Sequence, residues 1–182
     1  MKLMRYISFG ILSAIVTGAV AEDKTVCHES PSYLVVEGPT GEVGTNFLVK
    51  YKSKTGLPIK CEYAVRDSDF EIKNEWAEYF LALQNNLLIL DSGTGPDPRG
   101  LVIWNLENRK KVYSGTYSEP YEVKPGYLEF WTETAKATED NCPEKKEWEA
   151  GGLGAGIDTR VTLSLADFSV TRSSQTRCSS RQ

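Results

Sequence analysis

Apolar positions come first as one long run and then as short segments cut by polar turns. Ile7 to Val20 carries no charge and is interrupted only by Ser, Thr and Gly. After it, Tyr33-Leu34-Val35-Val36-Glu37 predicts a strand, closed by Gly38-Pro39-Thr40-Gly41, a strong turn signal. Asn46 to Lys52 and Ile59 to Val65 predict two more, with Ser53-Lys54-Thr55-Gly56 turning between them. Tyr79 to Leu83 and Leu87 to Asp91 flank Gln84-Asn85-Asn86, and asparagine tolerates the left-handed conformation that a hairpin loop needs. A long loop, Ser92 to Arg99, leads to a strand over Gly100 to Leu106. Glu107 to Lys110 turns it back into Lys111 to Ser114, and Pro125-Gly126 suits a type II turn between Tyr121–Val123 and Tyr127–Thr132. Farther on, Asp158, Arg160, Thr162 and Ser164 alternate with Ile157, Val161, Leu163 and Leu165, a strand with one wet face and one core face.

Helical signals are few. Pro143 at a first helical position, Glu144 and Glu147 in the first turns and Gly151 as a stop predict one short helix near 143–150, with Trp148 as its buried contact. Glu71 to Tyr79 is ambiguous, because Trp76, Tyr79 and Phe80 fit helix spacing while the run after Glu78 reads as strand. Ser173 to Gln182 is polar and is expected to be a mobile tail, except where Cys178 pins it. Short strands in series with tight turns make an antiparallel meander. The expected fold is therefore mainly β: a blade-like curved sheet in a sandwich or a partly open barrel, with that one helix. Tyr79 to Ser114 resembles one propeller blade, but a propeller needs about four or more.

The first 21 residues have the parts of an export signal: basic Lys2 and Arg5, the uncharged apolar run, and Ala19-Val20-Ala21 as a small-x-small cleavage site. The apolar run is shorter than the roughly 20 residues that span a bilayer and ends at Glu22-Asp23-Lys24. Cleavage before Glu22 leaves residues 22–182 as a single β-rich domain in the periplasm or outside the cell, with no integral membrane segment. Losing Lys2 and Arg5 takes the formal charge from −4 to about −6. Such a surface repels phosphate backbones, so nucleic acid is not an expected partner. All 4 cysteines lie in the mature part, and an even count in an exported chain reads as two bridges. Cys27–Cys61 and Cys142–Cys178 are the favoured pairs, because each closes a moderate loop and together they flank an uninterrupted centre. A zinc site would need C-x-x-C or several histidines, and the chain has only His28, so no metal and no cofactor are expected.

Candidate chemistry concentrates after the second central strand. Ile89-Leu90-Asp91-Ser92-Gly93 resembles the hydrophobic–hydrophobic–Asp–Ser/Thr–Gly signature of aspartic proteases, in which two carboxylates share a proton and activate a water. The resemblance implies Asp91 as the catalytic candidate, in a homodimer because no second such string exists. The loop itself, with Ser92, Gly93, Thr94, Gly95, Asp97 and Arg99, is long for a hairpin and offers a protrusion that can enter a partner's cleft. Asp91 with Asp97, and Asp67 with Asp69 and Glu71, have the oxygen chemistry of calcium sites without the EF-hand spacing. Gly151 to Gly156 satisfies no phosphate-binding motif, and His28 has no triad partners in view. Trp76, Trp104, Trp131 and Trp148 are expected in the core or half-buried; an exposed aromatic row would instead bind sugar or peptide.

The plan of leader, early cysteine, blade-like meander, Ser/Gly loop and C-terminal cysteine resembles uncharacterised periplasmic β-proteins of Gram-negative bacteria. Among these it is similar in outline to immunity proteins against type VI secretion amidase effectors. That resemblance implies a non-enzymatic binding protein, an inhibitor or immunity protein, that places the 92–100 loop in another protein. The competing expectations are a hydrolase centred on Asp91 and a cell-envelope domain that binds carbohydrate or another ligand.

Overall fold

A computed structural model describes residues 25–53, 58–95 and 97–181. The expected leader and its cleavage site lie outside those residues, as do most of the Ser53–Gly56 turn, Pro96 and Gln182. The chain is mainly β, in two antiparallel sheets with one short helix.

The smaller sheet is built from β1 (Cys27–Glu29), β2 (Tyr33–Gly38), β3 (Asn46–Tyr51) and β4 (Phe70–Ile72), neighbours in that order. β2 reads as an unbroken apolar run because both of its faces are covered. Tyr33 and Val35 join Phe47, Val49 and Ile72 on the side facing the larger sheet. Leu34 and Val36 pack with Leu48 on the other side, under Cys27, Ile59 and Tyr63. The strand expected over Ile59–Val65 is not one. Its alternation is real, but Ile59 and Tyr63 use it to cover the back of the sheet without a ladder, and β4 takes the place beside β3. Three contacts fix this cover. Cys27 is bonded to Cys61, the buried Lys50 amine donates to the Glu62 carbonyl at 2.6 Å, and the Tyr63 ring lies against Gly38. A Cβ on Gly38 would come within 2.2 Å of that ring, so the residue must be glycine.

The larger sheet follows the chain. β5 (Glu78–Gln84), β6 (Leu87–Ser92), β7 (Arg99–Asn105), β8 (Lys110–Lys124), β9 (Tyr127–Lys136), β10 (Gly154–Ser164) and β11 (Val170–Arg181) lie side by side in sequence order. Asn85 has φ 54° in the first hairpin and Gly126 has φ 83° in the β8–β9 turn, the left-handed geometry that the turn residues announced. The sheet curls around a core of Leu87, Ile89, Leu101, Ile103, Phe130 and Val161 and their neighbours without closing into a barrel. Gln84 ties the curl by donating to the Lys124 carbonyl at 2.8 Å and accepting the Gly126 N–H at 3.1 Å. Leu88, Leu90 and Val102 point the other way, onto the smaller sheet.

Three expectations change here. The two short strands expected around residues 111–114 and 121–123 are one strand, β8, fifteen residues long. Up to Tyr117 it pairs with β7, and from Ser118 onward with β9. Pro120 sits at the register shift between these partners, where a missing N–H costs no ladder bond. Asp158 is not on a wet face. Register shifts on either side of it, next to Ile157 and before Val161, rotate it into a fully buried position. The polar segment expected as a mobile tail is strand β11 through Arg181.

The helix α1 (Lys145–Ala150) falls where Pro143 and Gly151 placed it. It has no fully buried residue, and Trp148 is half-buried rather than buried. Cys142, just before it, is buried and bonded to Cys178 of β11.

Candidate functional site

The 92–99 loop joins β6 to β7, and Arg99 folds back into it. Its Nε donates to Asp91 Oδ1 at 2.7 Å and its Nη2 to Asp91 Oδ2. The same guanidinium donates to the Gly95 carbonyl at 2.6 Å and the Gly93 carbonyl at 2.8 Å. One arginine therefore occupies the loop's interior and satisfies backbone acceptors that would otherwise need water. The bond to Asp91 holds the Arg99 guanidinium more firmly protonated than usual. The Tyr117 hydroxyl donates to Asp91 Oδ1 at 3.0 Å, and burial followed by the Asp91 charge pushes its pKa up, so it stays a donor. Asp97 accepts the Glu119 N–H at 3.0 Å, anchoring the far side of the loop to β8. Ser92 Oγ donates to the Trp76 carbonyl at 3.0 Å and the Gly93 N–H to the Ala77 carbonyl at 3.1 Å. Thr94 and Gly95 stay exposed at the tip.

The expected loop residues are thus together, as a braced knuckle rather than a free arm. Asp91 has a structural task in it. Its carboxylate is bonded to a guanidinium and a phenol, the opposite of a shared-proton pair of acids. Two of the acids weighed for calcium are engaged elsewhere: Asp69 accepts the Arg66 N–H at 3.1 Å and Glu71 accepts the Tyr63 hydroxyl at 3.0 Å. Cys142, Cys178 and Glu144 lie close together, but the two sulfurs are bonded to each other.

Trp76 escaped the sequence reading. It is 77% exposed beside the loop, where a core or half-buried position was expected. The buried Glu78 carboxylate accepts the N–H groups of Glu75 at 2.7 Å and Trp76 at 2.9 Å, and Asn74 Oδ1 accepts the Glu78 N–H at 2.8 Å. With Ala77 at φ 56°, these bonds fix a tight corner that holds the indole outward. Val43, 61% exposed, stands nearby because Asn74 also donates to its carbonyl at 2.8 Å. The signal that could have found Trp76 is its setting: a lone aromatic in the polar stretch Lys73-Asn74-Glu75-Trp76, with no apolar residue at strand spacing on the Lys73 side.

Beyond Asp97 and Glu119, two adjoining hollows of about 390 and 460 Å³ share those two acids and run to β11. The wall at the β11 end is a charge network. Asp158 accepts from Arg181, from Arg177 at 3.2 Å and from Ser179 Oγ at 2.8 Å. Arg177 also donates to the Glu119 carbonyl and lies 4.6 Å over the Trp131 ring. These groups satisfy one another, so the network reads as a clasp for β11 and not as a ligand site.

Comparison of the chain with protein-family models, curated proteins and solved structures found no match. What fold and site define is a mainly β protein with two disulfides. Among its described residues no helix is long and apolar enough to cross a membrane.

Proposed function

We propose that this is an exported, non-enzymatic binding protein of the inhibitor or immunity kind, which docks another protein through the end that carries Trp76 and the 92–99 knuckle. The observation that carries the reading is Trp76: a tryptophan 77% exposed whose backbone is already fixed by hydrogen bonds leaves only two side-chain torsions to order when it is covered. Tryptophan is also among the residues that most often dominate binding energy. The braced loop beside it adds a rigid, pre-formed surface, which lowers the ordering cost of association. Export to the periplasm rests on Lys2, Arg5 and Ala19-Val20-Ala21, with two disulfides that an oxidising compartment permits. The Glu42 and Glu119 carboxylates at this end, without a hydrogen bond or ion pair among the described residues, favour a partner with a basic cleft.

The test is site-specific photocrosslinking in the producing cell. A photoreactive residue at Val43 or Thr94 is expected to capture the same protein, and one at Val170 on β11 is expected not to. With that protein purified, Trp76→Ala should weaken binding by about thirtyfold, the loss of a typical hot spot. Equal capture at all three positions, or binding unchanged by Trp76→Ala, overturns the proposal.

A further inference from the structure

A second pocket lies at the opposite end of the molecule. The β2–β3 pair runs from Gly38 and Asn46, near the Trp76 corner, to Tyr33 and Tyr51. There the smaller sheet meets the β7–β8 turn around a hollow of about 230 Å³. Its floor is apolar, from the buried Val49 and Leu106. Tyr51, 53% exposed, offers a ring at the mouth, edge-on to Tyr33. Phe70 forms the other wall, but the Arg109 guanidinium already covers its face at 4.9 Å.

The polar groups of this pocket are unspent. Tyr33 lines the pocket with a hydroxyl that solvent reaches, and that hydroxyl has no hydrogen-bond partner among the described residues. Burial, and then the charge of Glu107, hold that hydroxyl protonated and able to donate. The Glu107 carboxylate is likewise without a hydrogen bond among the described residues. Arg109 spends one N–H on the Ser68 carbonyl at 3.3 Å and has others to give.

We propose that this pocket holds a single pyranose ring, free or at the end of a glycan. A charged ligand would meet its own sign at Glu107 or at Arg109. A neutral polyol uses both, giving hydroxyl protons to the carboxylate and taking them from the guanidinium and the phenols. A pyranose also carries an apolar C–H face, which the Tyr51 ring and the Val49–Leu106 floor accept. The volume falls below the roughly 300–1,000 Å³ of sites for larger ligands, which fits one ring and excludes an enclosed oligosaccharide.

The proposal goes beyond protein docking and uses none of its residues. Saturation-transfer NMR on the mature protein with glucose, galactose, mannose and N-acetylglucosamine tests it. At least one sugar is expected to receive magnetisation, with a millimolar dissociation constant that Tyr51→Ala and Glu107→Gln each raise about tenfold. Trp76→Ala should leave this binding unchanged, which separates failure here from failure of the docking proposal. No transfer to any sugar, or transfer that survives both pocket substitutions, overturns the inference.

Discussion

Asp91 and Asp158 are both paired with arginine, and they differ in how much water reaches them. The Asp91 side chain keeps 15% exposure and its partner Arg99 18%, whereas Asp158 keeps none. Asp158 bonds two arginines, Arg181 at 10% exposure and Arg177 at 29%, so removing its carboxylate leaves two guanidinium groups uncompensated, at a cost of about 3–5 kcal/mol. Asp158→Asn is therefore expected to lower unfolding stability by about that much. Asp91→Asn leaves a single guanidinium uncompensated beside a carboxylate site that water already reaches, and should cost about 2 kcal/mol. Urea midpoints of the two variants check the order, and Asp91→Asn the more damaging would refute it. Asp91→Asn is not expected to remove an activity: the wild type should leave denatured substrate intact at acid pH. The motif around Asp91 was legible in the sequence, but its meaning was not. Which partners a carboxylate has depends on Arg99 returning across the loop and Tyr117 arriving from two strands away.

At the scale of elements, β11 is held differently from the other strands. Val170 to Thr176 is exposed throughout, and the core clusters of the larger sheet stop at β10 and the turn after it. What fastens the strand, besides its ladder to β10, is the Cys142–Cys178 bridge and the arginines on Asp158. The bridge spans 36 residues, and closing a loop of that size stabilises by about 3–4 kcal/mol. A Cys142→Ser, Cys178→Ser variant is expected to unfold at correspondingly lower denaturant. Its β11 amides should exchange with deuterium faster, while those of β6 and β7, buried on both faces, keep their protection. Uniform loss of protection across the sheet would show that β11 belongs to the same cooperative unit as the core. The strand pattern of β5 to β7 and β9, the Asn85 and Gly126 turns and the helix near 143–150 could be read from the sequence, because each depends on residues within a few positions of one another. β11 could not, because a polar segment becomes a strand only when a neighbour offers it an edge.

For the molecule as a whole, buried phenols set an alkaline limit. Burial is the largest cause raising the pKa of Tyr33, Tyr63, Tyr113 and Tyr117 above the ordinary tyrosine value. In the unfolded chain these groups ionise near pH 10, while the folded chain keeps its protons to higher pH. Above about pH 10 the unfolded state binds fewer protons than the folded one, so stability falls as pH rises from there. Below that pH both states hold the protons and the four phenols contribute no pH dependence. Denaturant midpoints should be flat with respect to these groups up to about pH 9.5 and then drop. Tyr117→Phe, which keeps the ring and removes the titrating hydroxyl, should make the drop shallower, and an unchanged slope would show that Tyr117 does not contribute to it.

The sequence by itself determined the mainly β character, the two bridged ends, the leader-like start and the existence of an unusual loop after Asp91, because these rest on local pattern and on residue type. The tertiary structure alone decided that Ile59–Val65 covers a sheet instead of joining one, that β8 crosses between partners, that Asp158 is buried under two arginines and that Trp76 faces water. Burial and pairing between residues far apart in the chain belong to no local window. The two surfaces proposed for binding are of this kind, each assembled from segments brought together only by the folding of two sheets.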